Sequence, residues 1–234
     1  MVPDDAGRSG PLARLAGFVR RGRVPETQDA PGTLPTLRGW SEGAGRRDVV
    51  VFTYQGVSSD EVETVAGAIA REFGARVVLA SPEPGPLLGV EPARMIETVP
   101  LAEAPEPYVL VVPGGLAWRR EASRIEAVEW LRAAVDAARG VIAVSTGALL
   151  LAAAGLIDDD EAAGHWLAGD LMAEHGVRKS SDRVVQNRLL VTASGALAGA
   201  EAATALAQAM RFGLFAPGEP AAGRPTSTWD PFTG

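Results

Sequence analysis

From Asp48 onward, short continuous apolar runs alternate with segments of helical length along the chain. A run that is apolar at nearly every position is typical of a strand buried on both faces of a parallel sheet. The runs that predict strands are 49–54, 76–80, 108–112 and 141–144, with further strands near 184–186 and 189–193. Strands that alternate with helices in this way favour an α/β fold built from βαβ units.

The first connecting segment carries clear helix signals. Ser58 or Ser59 can cap a helix that runs to about Phe73, and Gly74 then ends it. The Pro/Gly-rich stretch 82–89 predicts a loop that leads through a short hairpin to the third core strand.

A second helix is predicted over 121–138, and Gly140 is expected to stop it. Its apolar residues recur at helical spacing on one stripe. The residues of this stripe are Ile125, Val128, Leu131, Ala134 and Val135. Three further helices are predicted over 146–154, about 167–174 and 197–212.

The 234 residues, of which 47% are apolar, predict one domain of 48–213 between two tails. Residues 1–47 hold eight Arg, five acids, eight Gly and five Pro, which predicts a flexible basic N-terminal arm. Residues 214–234 predict a Pro/Gly-rich C-terminal tail. The 187 residues after the arm carry a net charge of −10, which argues against a nucleic-acid partner.

No stretch of the sequence is long and apolar enough to predict a membrane span. The N-terminus opens with Asp4 and Asp5 instead of a basic segment before an apolar run, so we expect a soluble, cytoplasmic protein. The chain has no Cys, and its two His lie ten residues apart. We therefore predict no disulfide, no cysteine nucleophile and no metal site.

Ser145 lies in the segment A-V-S-T-G, where a strand runs into a helix with hardly any loop. Such a turn exposes the side chain at the carboxyl edge of the sheet and resembles a nucleophile elbow beside an oxyanion site. A purely structural serine that caps the helix would give the same pattern. Gly114 and Gly115 end a neighbouring core strand with bare backbone, and we expect their N–H groups to meet a developing negative charge.

A proton-transfer group is also needed, and Glu61 is the best-placed residue for it. It lies in the first turn of the first helix, just beyond the first strand, where partial burial would raise its pKa. The alternative is that Asp60, Glu61 and Glu63 only stabilise the positive end of the helix. His165 follows the elbow by twenty residues and either lines the pocket or packs against Trp166.

Four segments together resemble the ThiJ/PfpI superfamily of class I glutamine-amidotransferase-like domains, in the branch that includes isonitrile hydratase. They are V-P-G-G at 112–115, V-S-T-G-A-L-L-L-A-A-A-G-L at 144–156, H-W at 165–166 and S-G-A-L-A-G at 194–199. The resemblance spans about 48–212. It implies a flavodoxin-like, doubly wound, mostly parallel sheet sandwiched by helices, a homodimer, a small-molecule substrate, and no metal or organic cofactor.

Carried over residue by residue, the family's acid falls on Glu61, its nucleophile on Ser145 and its neighbouring threonine on Thr146, followed by Gly147. The family places a cysteine where this chain has Ser145. A thiolate is partly formed near neutral pH, whereas a serine hydroxyl is inert until a base takes its proton.

Four explanations of the serine remain open. Glu61 activates Ser145, or the reaction proceeds by acid–base catalysis without a covalent intermediate. Alternatively, the site has lost the family chemistry and only binds a ligand, as a sensor does, or the chain is an engineered Cys-to-Ser variant. An α/β-hydrolase fits poorly, because no His follows residue 175. The prediction is therefore a lyase or hydrolase resembling isonitrile hydratase, with a ligand-binding module as the alternative.

Overall fold

The computed structural model describes residues 34–40, 47–83, 85–157 and 161–212. Its strands in chain order are β1 (Thr36–Leu37), β2 (Asp48–Phe52), β3 (Arg76–Ser81), β4 (Leu87–Gly89), β5 (Arg94–Ile96), β6 (Val99–Pro100), β7 (Val109–Val112), β8 (Gly140–Val144), β9 (Glu161–Ala162), β10 (Arg178–Lys179), β11 (Val184–Asn187) and β12 (Leu190–Ala193). The helices are α1 (Ser59–Phe73), α2 (Trp118–Ala122), α3 (Ile125–Ala137), α4 (Gly147–Ala153), α5 (Gly169–Glu174) and α6 (Ala196–Phe212), with a 3₁₀ turn at Leu101–Glu103.

The main sheet has seven strands in the order β11-β12-β8-β7-β2-β3-β6. All neighbouring pairs are parallel except β11 and β12, which are antiparallel. The side chains of β2, β7 and β8 are buried almost throughout, as their continuous apolar runs predict. The predicted α/β fold with a mostly parallel sheet is confirmed.

Helices flank this sheet. Helix α6 packs on α1 and against the strands β8 and β12, while α2 contacts both α3 and α4. The α1–α6 approach is close, since a Cβ added at Gly199 would lie 2.5 Å from a methyl carbon of Val65. Glycine at that position therefore allows the two helices to meet over the sheet.

Helix α1 begins and ends as the sequence predicts. The Ser58 hydroxyl accepts a hydrogen bond from the backbone N–H of Glu61, which is the usual contact of an N-cap residue. Gly74 ends the helix in the left-handed conformation, with φ of 59°. The helix therefore places Glu61 three residues after its cap.

The prediction of one helix over 121–138 is wrong. The chain forms α2 and α3 instead, because Arg124 between them is extended, with φ of −93° and ψ of 108°. Ile125 consequently opens α3 and is 74% exposed instead of lying on the buried stripe. Gly140 does not stop a helix either; it is the first residue of β8, and a Cβ there would lie 2.8 Å from Leu206.

The predicted N-terminal arm also needs correction in its described part. Strand β1 pairs with β5, and Leu37 is fully buried in the core. The backbone N–H of Val77 donates to the carbonyl oxygen of Trp40 at 2.6 Å, which attaches this segment to β3 of the main sheet. Residues 34–40 thus belong to the domain, while 1–33, 41–46 and the predicted tail from 214 lie outside the described residues.

Candidate functional site

Three neighbouring strands end at the same edge of the sheet. Strand β2 pairs with β3 on one side and with β7 on the other, so the order in which the chain adds strands reverses at β2. In doubly wound sheets, ligands bind beyond the carboxyl ends of the strands at such a reversal. Glu61 follows β2, Gly114 and Gly115 follow β7, and Ser145 follows β8. The fold therefore gathers the predicted site residues at one place.

Ser145 has the strained backbone expected of a nucleophile elbow. Its φ is +56°, which costs an L residue roughly 1–2 kcal/mol, and it is only 7% exposed. Its N–H donates to the carbonyl oxygen of Ala193 at 2.8 Å, which anchors the turn to β12. Gly147 opens α4 two residues later, and a Cβ there would lie 2.0 Å from the carbonyl oxygen of Val112. Only glycine permits this approach between the elbow and β7.

Glu61 is buried beside the elbow and is also 7% exposed. Its Oε2 accepts a hydrogen bond from the backbone N–H of Gly114 at 2.6 Å. The pKa of Glu61 is raised from 4.5 to about 7, chiefly by burial and to a smaller extent by the charges of Asp60 and Glu91. The Gly114 N–H and the Ser145 side chain act in the opposite direction and lower this pKa.

A carboxyl group with a pKa of about 7 is close to half protonated at neutral pH, so it can both give and take a proton. The Ser145 side chain lies close enough to Glu61 to lower the pKa of its carboxyl group, so the elbow and the acid predicted from the sequence meet in one site. The helix-stabilising interpretation of Glu61 does not account for a carboxyl group buried against another loop.

The two glycines after β7 do not offer free N–H groups in this structure. The Gly114 N–H donates to Glu61, and the Gly115 N–H donates to Oγ1 of Thr146 at 2.9 Å. A Cβ at Gly114 would lie 2.8 Å from Thr146 Oγ1, and one at Gly115 would lie 2.4 Å from the carbonyl oxygen of Gly56. The expected oxyanion donors therefore bind side chains of the site, and the glycines let this loop pack against the elbow.

His165 and Trp166 lie on a loop that passes the elbow. A Cβ at Gly164 would lie 3.5 Å from the carbonyl oxygen of Ser145, so the backbone of this loop is adjacent to the site. The Nδ1 atom of His165 accepts the Leu167 N–H at 3.3 Å, and its ring contacts Trp166 at a centroid distance of 5.8 Å. Trp166 itself is 76% exposed. The loop is brought to the elbow, while the indole ring faces solvent.

Sequence reasoning missed two buried polar residues near the site. The sequence pattern places Tyr54 in the apolar first strand, yet its hydroxyl donates to the carbonyl oxygen of Pro113 at 3.2 Å. Glu121 opens the helix predicted over 121–138, yet its side chain is fully buried. A phenol at the carboxyl end of a core strand was the available signal for Tyr54. No sequence signal distinguishes Glu121 from the neighbouring surface acids.

Within the described ranges, no group of three or more His, Cys, Asp or Glu side chains is arranged to hold a metal ion. No helix among those residues is both long and apolar enough to cross a membrane.

Comparison with known proteins identifies the family of the chain. The model of the DJ-1/PfpI family matches residues 47–209, which cover most of the chain. The chain belongs to the DJ-1/PfpI family. This match covers all of the site residues described above, from Glu61 through Ser145 to Trp166.

Individual relatives support the family membership and the fold. The chain is 34% identical over 121 residues to the isonitrile hydratase of Pseudomonas putida, a match that covers 52% of this chain and 51% of that protein. It therefore aligns with about half the length of this curated relative. A ThiJ/PfpI family protein from Pseudomonas syringae superposes with a TM-score of 0.63 at 22% identity, covering 77% of this chain and 79% of the other. Drosophila melanogaster DJ-1beta superposes with a TM-score of 0.61 at 19% identity, and the match covers 69% of this chain and 89% of that protein.

Proposed function

We propose that this DJ-1/PfpI protein is a cofactor-independent hydratase that adds water to a small isonitrile or a related substrate. The observation that carries the proposal is the buried Glu61 carboxyl group, whose pKa lies near 7 and which interacts with Ser145 at a strained elbow. The 34% identity to an isonitrile hydratase supports this choice of substrate class.

Glu61 acts as the proton shuttle in this proposal. The terminal carbon of an isonitrile is nucleophilic, so the protonated carboxyl group of Glu61 gives its proton to that carbon. The oxygen of a water molecule then bonds to the same carbon, and the Glu61 carboxylate takes a proton from that water. The product, a hydroxyimine, tautomerises to an N-substituted formamide. One water molecule is consumed and Glu61 is returned to its starting state.

Ser145 and Thr146 position the water and the substrate. The Ser145 hydroxyl interacts with Glu61, so it can direct a water molecule toward the carboxyl group. Ser145 is not required to form a covalent bond, because both proton transfers pass through Glu61. This scheme accounts for a serine at the elbow without demanding a thiolate there.

The direct test is to incubate the purified protein with a panel of isonitriles and to detect the formamide by proton NMR. We expect turnover by the wild type and a loss of at least about 100-fold in Glu61→Gln, because the acid–base group is removed. Glu63→Gln is the matched control, since Glu63 lies on the same helix but pairs with Arg94 at 3.3 Å. It should keep its activity.

Variants at Ser145 separate this proposal from the alternative of a ligand-binding or sensor module. If the wild type forms no formamide while Ser145→Cys does, the serine form is a disabled enzyme. If neither protein turns over any isonitrile, nitrile, amide or α-oxoaldehyde but both bind such compounds, the sensor function replaces the enzyme proposal.

We also propose that the chain forms a homodimer. Large apolar side chains are exposed on the two loops beside the site: Leu116 after the glycine pair is 76% exposed, and Leu167 after Trp166 is 63% exposed. Burying such residues against a second copy would remove apolar surface from water. Light scattering at several protein concentrations tests this, and a monomer at all of them would contradict it. The cytoplasmic location stays a prediction.

A further inference from the structure

The hydroxyl of Tyr54 contacts both loops that form the site. The side chain is fully buried just beyond β2, and its ring packs on Phe52 at a centroid distance of 5.7 Å. The hydroxyl donates to the carbonyl oxygen of Pro113 at 3.2 Å, and the Thr146 side chain lies near enough to lower the pKa of the phenol. A phenylalanine would fill the same volume without a buried polar group to satisfy. The hydroxyl is therefore placed to do more than pack.

Thr146 continues this connection to the elbow. Its Oγ1 accepts the N–H of Gly115 at 2.9 Å and donates to the carbonyl oxygen of the same residue at 3.2 Å. The loop after β7 is thus bonded to Tyr54 at Pro113 and to Thr146 at Gly115. Gly114 lies between these two anchored residues, and its N–H donates to Glu61. Movement of the anchors would move the donor that binds the Glu61 carboxyl group.

Burial, together with two neighbouring buried acids, keeps the Tyr54 hydroxyl protonated. Burial raises the pKa of Tyr54 well above its usual value, and the charges of Glu61 and then Glu121 raise it further. Glu121 is itself fully buried, with Arg120 Nε donating to its Oε1 at 2.7 Å. Its Oε2 has no hydrogen-bond partner among the described residues. Tyr54 therefore stays a hydrogen-bond donor throughout the pH range in which Glu61 titrates.

We propose that Tyr54 is a positioning residue that holds the Pro113–Gly115 loop and Thr146 as one unit and so fixes the Gly114 N–H on Glu61. This inference rests on the proposed function only for its catalytic consequence. Its structural content concerns the free protein and can be measured without any substrate.

The test compares wild type, Tyr54→Phe and Tyr108→Phe by NMR. Tyr108 is the matched control, because it is the second of only two tyrosines in the chain and its ring packs on Phe73 at 5.3 Å. In Tyr54→Phe we expect the amide hydrogens of Gly114 and Gly115 to exchange about tenfold faster, which corresponds to about 1.4 kcal/mol. The control should exchange at the wild-type rate.

The Glu61 carboxyl signal supplies a readout that a purely structural role would not move. Because the Gly114 N–H lowers the pKa of Glu61, a loosened loop in Tyr54→Phe should move the titration of Glu61 to higher pH. Unchanged amide exchange together with an unchanged Glu61 titration in Tyr54→Phe would overturn the inference. Should this variant fail to fold, Thr146→Val releases the same loop from the elbow side and should speed exchange at Gly115; no effect there would also overturn it.

Failure of the proposed function gives a different result. A wild type that hydrates no isonitrile refutes the reaction, whereas amide exchange and the Glu61 titration still decide the role of Tyr54. If turnover is found, Tyr54→Phe should lower it about tenfold, and the double variant with Thr146→Val should lose less than the product of the two single-variant losses, because both side chains anchor the same loop. Independent losses that multiply in the double variant would contradict this shared action.

Discussion

Replacing Glu61 by glutamine should change how stability depends on pH. The folded-state pKa of Glu61 is raised to about 7 from its ordinary 4.5. Below both pKa values, the Glu61 carboxyl group is protonated in the folded and in the unfolded chain, so it does not lower the free energy of unfolding. As the pH rises from 4.5 to 7, the unfolded chain ionises first and the folded state loses stability. Above pH 7 the penalty is complete, at about 3 kcal/mol for a shift of this size.

Glutamine keeps an oxygen that accepts the Gly114 N–H but cannot ionise. We therefore expect the free energy of unfolding of Glu61→Gln, minus that of wild type, to be about 2.5 kcal/mol larger at pH 8 than at pH 5. Urea unfolding at the two pH values, at one fixed protein concentration, measures this difference.

The control is Glu103→Gln, which replaces an exposed carboxylate outside the site. The free energy of unfolding of this variant should change between pH 5 and pH 8 as that of the wild type does. The reasoning is refuted if the difference in free energy of unfolding between Glu61→Gln and wild type is the same at pH 5 and pH 8. The Glu61 carboxyl group would then have its ordinary pKa in the folded protein.

Two further predictions concern the backbone of the site. Gly114→Ala should lower the free energy of unfolding by about 1–3 kcal/mol, since its Cβ would lie 2.8 Å from Thr146 Oγ1. Gly195→Ala is the control and should be close to neutral, because no atom lies within 4 Å of the added carbon. Equal losses of stability in thermal unfolding would contradict the packing argument. Ser145→Gly should be about 1 kcal/mol more stable than Ser145→Ala, because glycine adopts a φ of +56° without strain, and a less stable glycine variant would show that the elbow is not strained.

Much of the fold follows from hydrophobic patterning. The core strands are buried on both faces, so their sequences carry continuous apolar runs that few other structures require. The cap at Ser58 and the left-handed Gly74 are local effects, which is why both ends of α1 could be predicted. The break at Arg124 could not, because no Gly or Pro marks it in the sequence and the interruption depends on how α2 and α3 pack.

Some features of the site could likewise be predicted from the sequence, and others could not. Glu61 and Ser145 could be predicted to meet, because each follows a strand and parallel strands end at one edge of the sheet. The occupied N–H groups of Gly114 and Gly115 could not be predicted, since they depend on side-chain contacts between loops that are 31 or more residues apart. The buried hydroxyl of Tyr54 is likewise a matter of tertiary contact.

The measurement that tests the central claim most directly is the pH dependence of kcat/KM for isonitrile hydration, with formamide formation followed by NMR. Because protonated Glu61 gives the first proton, kcat/KM should be constant at low pH and fall through a single ionisation near pH 7. Glu61→Gln should show neither the activity nor this ionisation. A Glu61→Gln protein that hydrates the isonitrile at the wild-type rate, with the same fall near pH 7, would contradict the account.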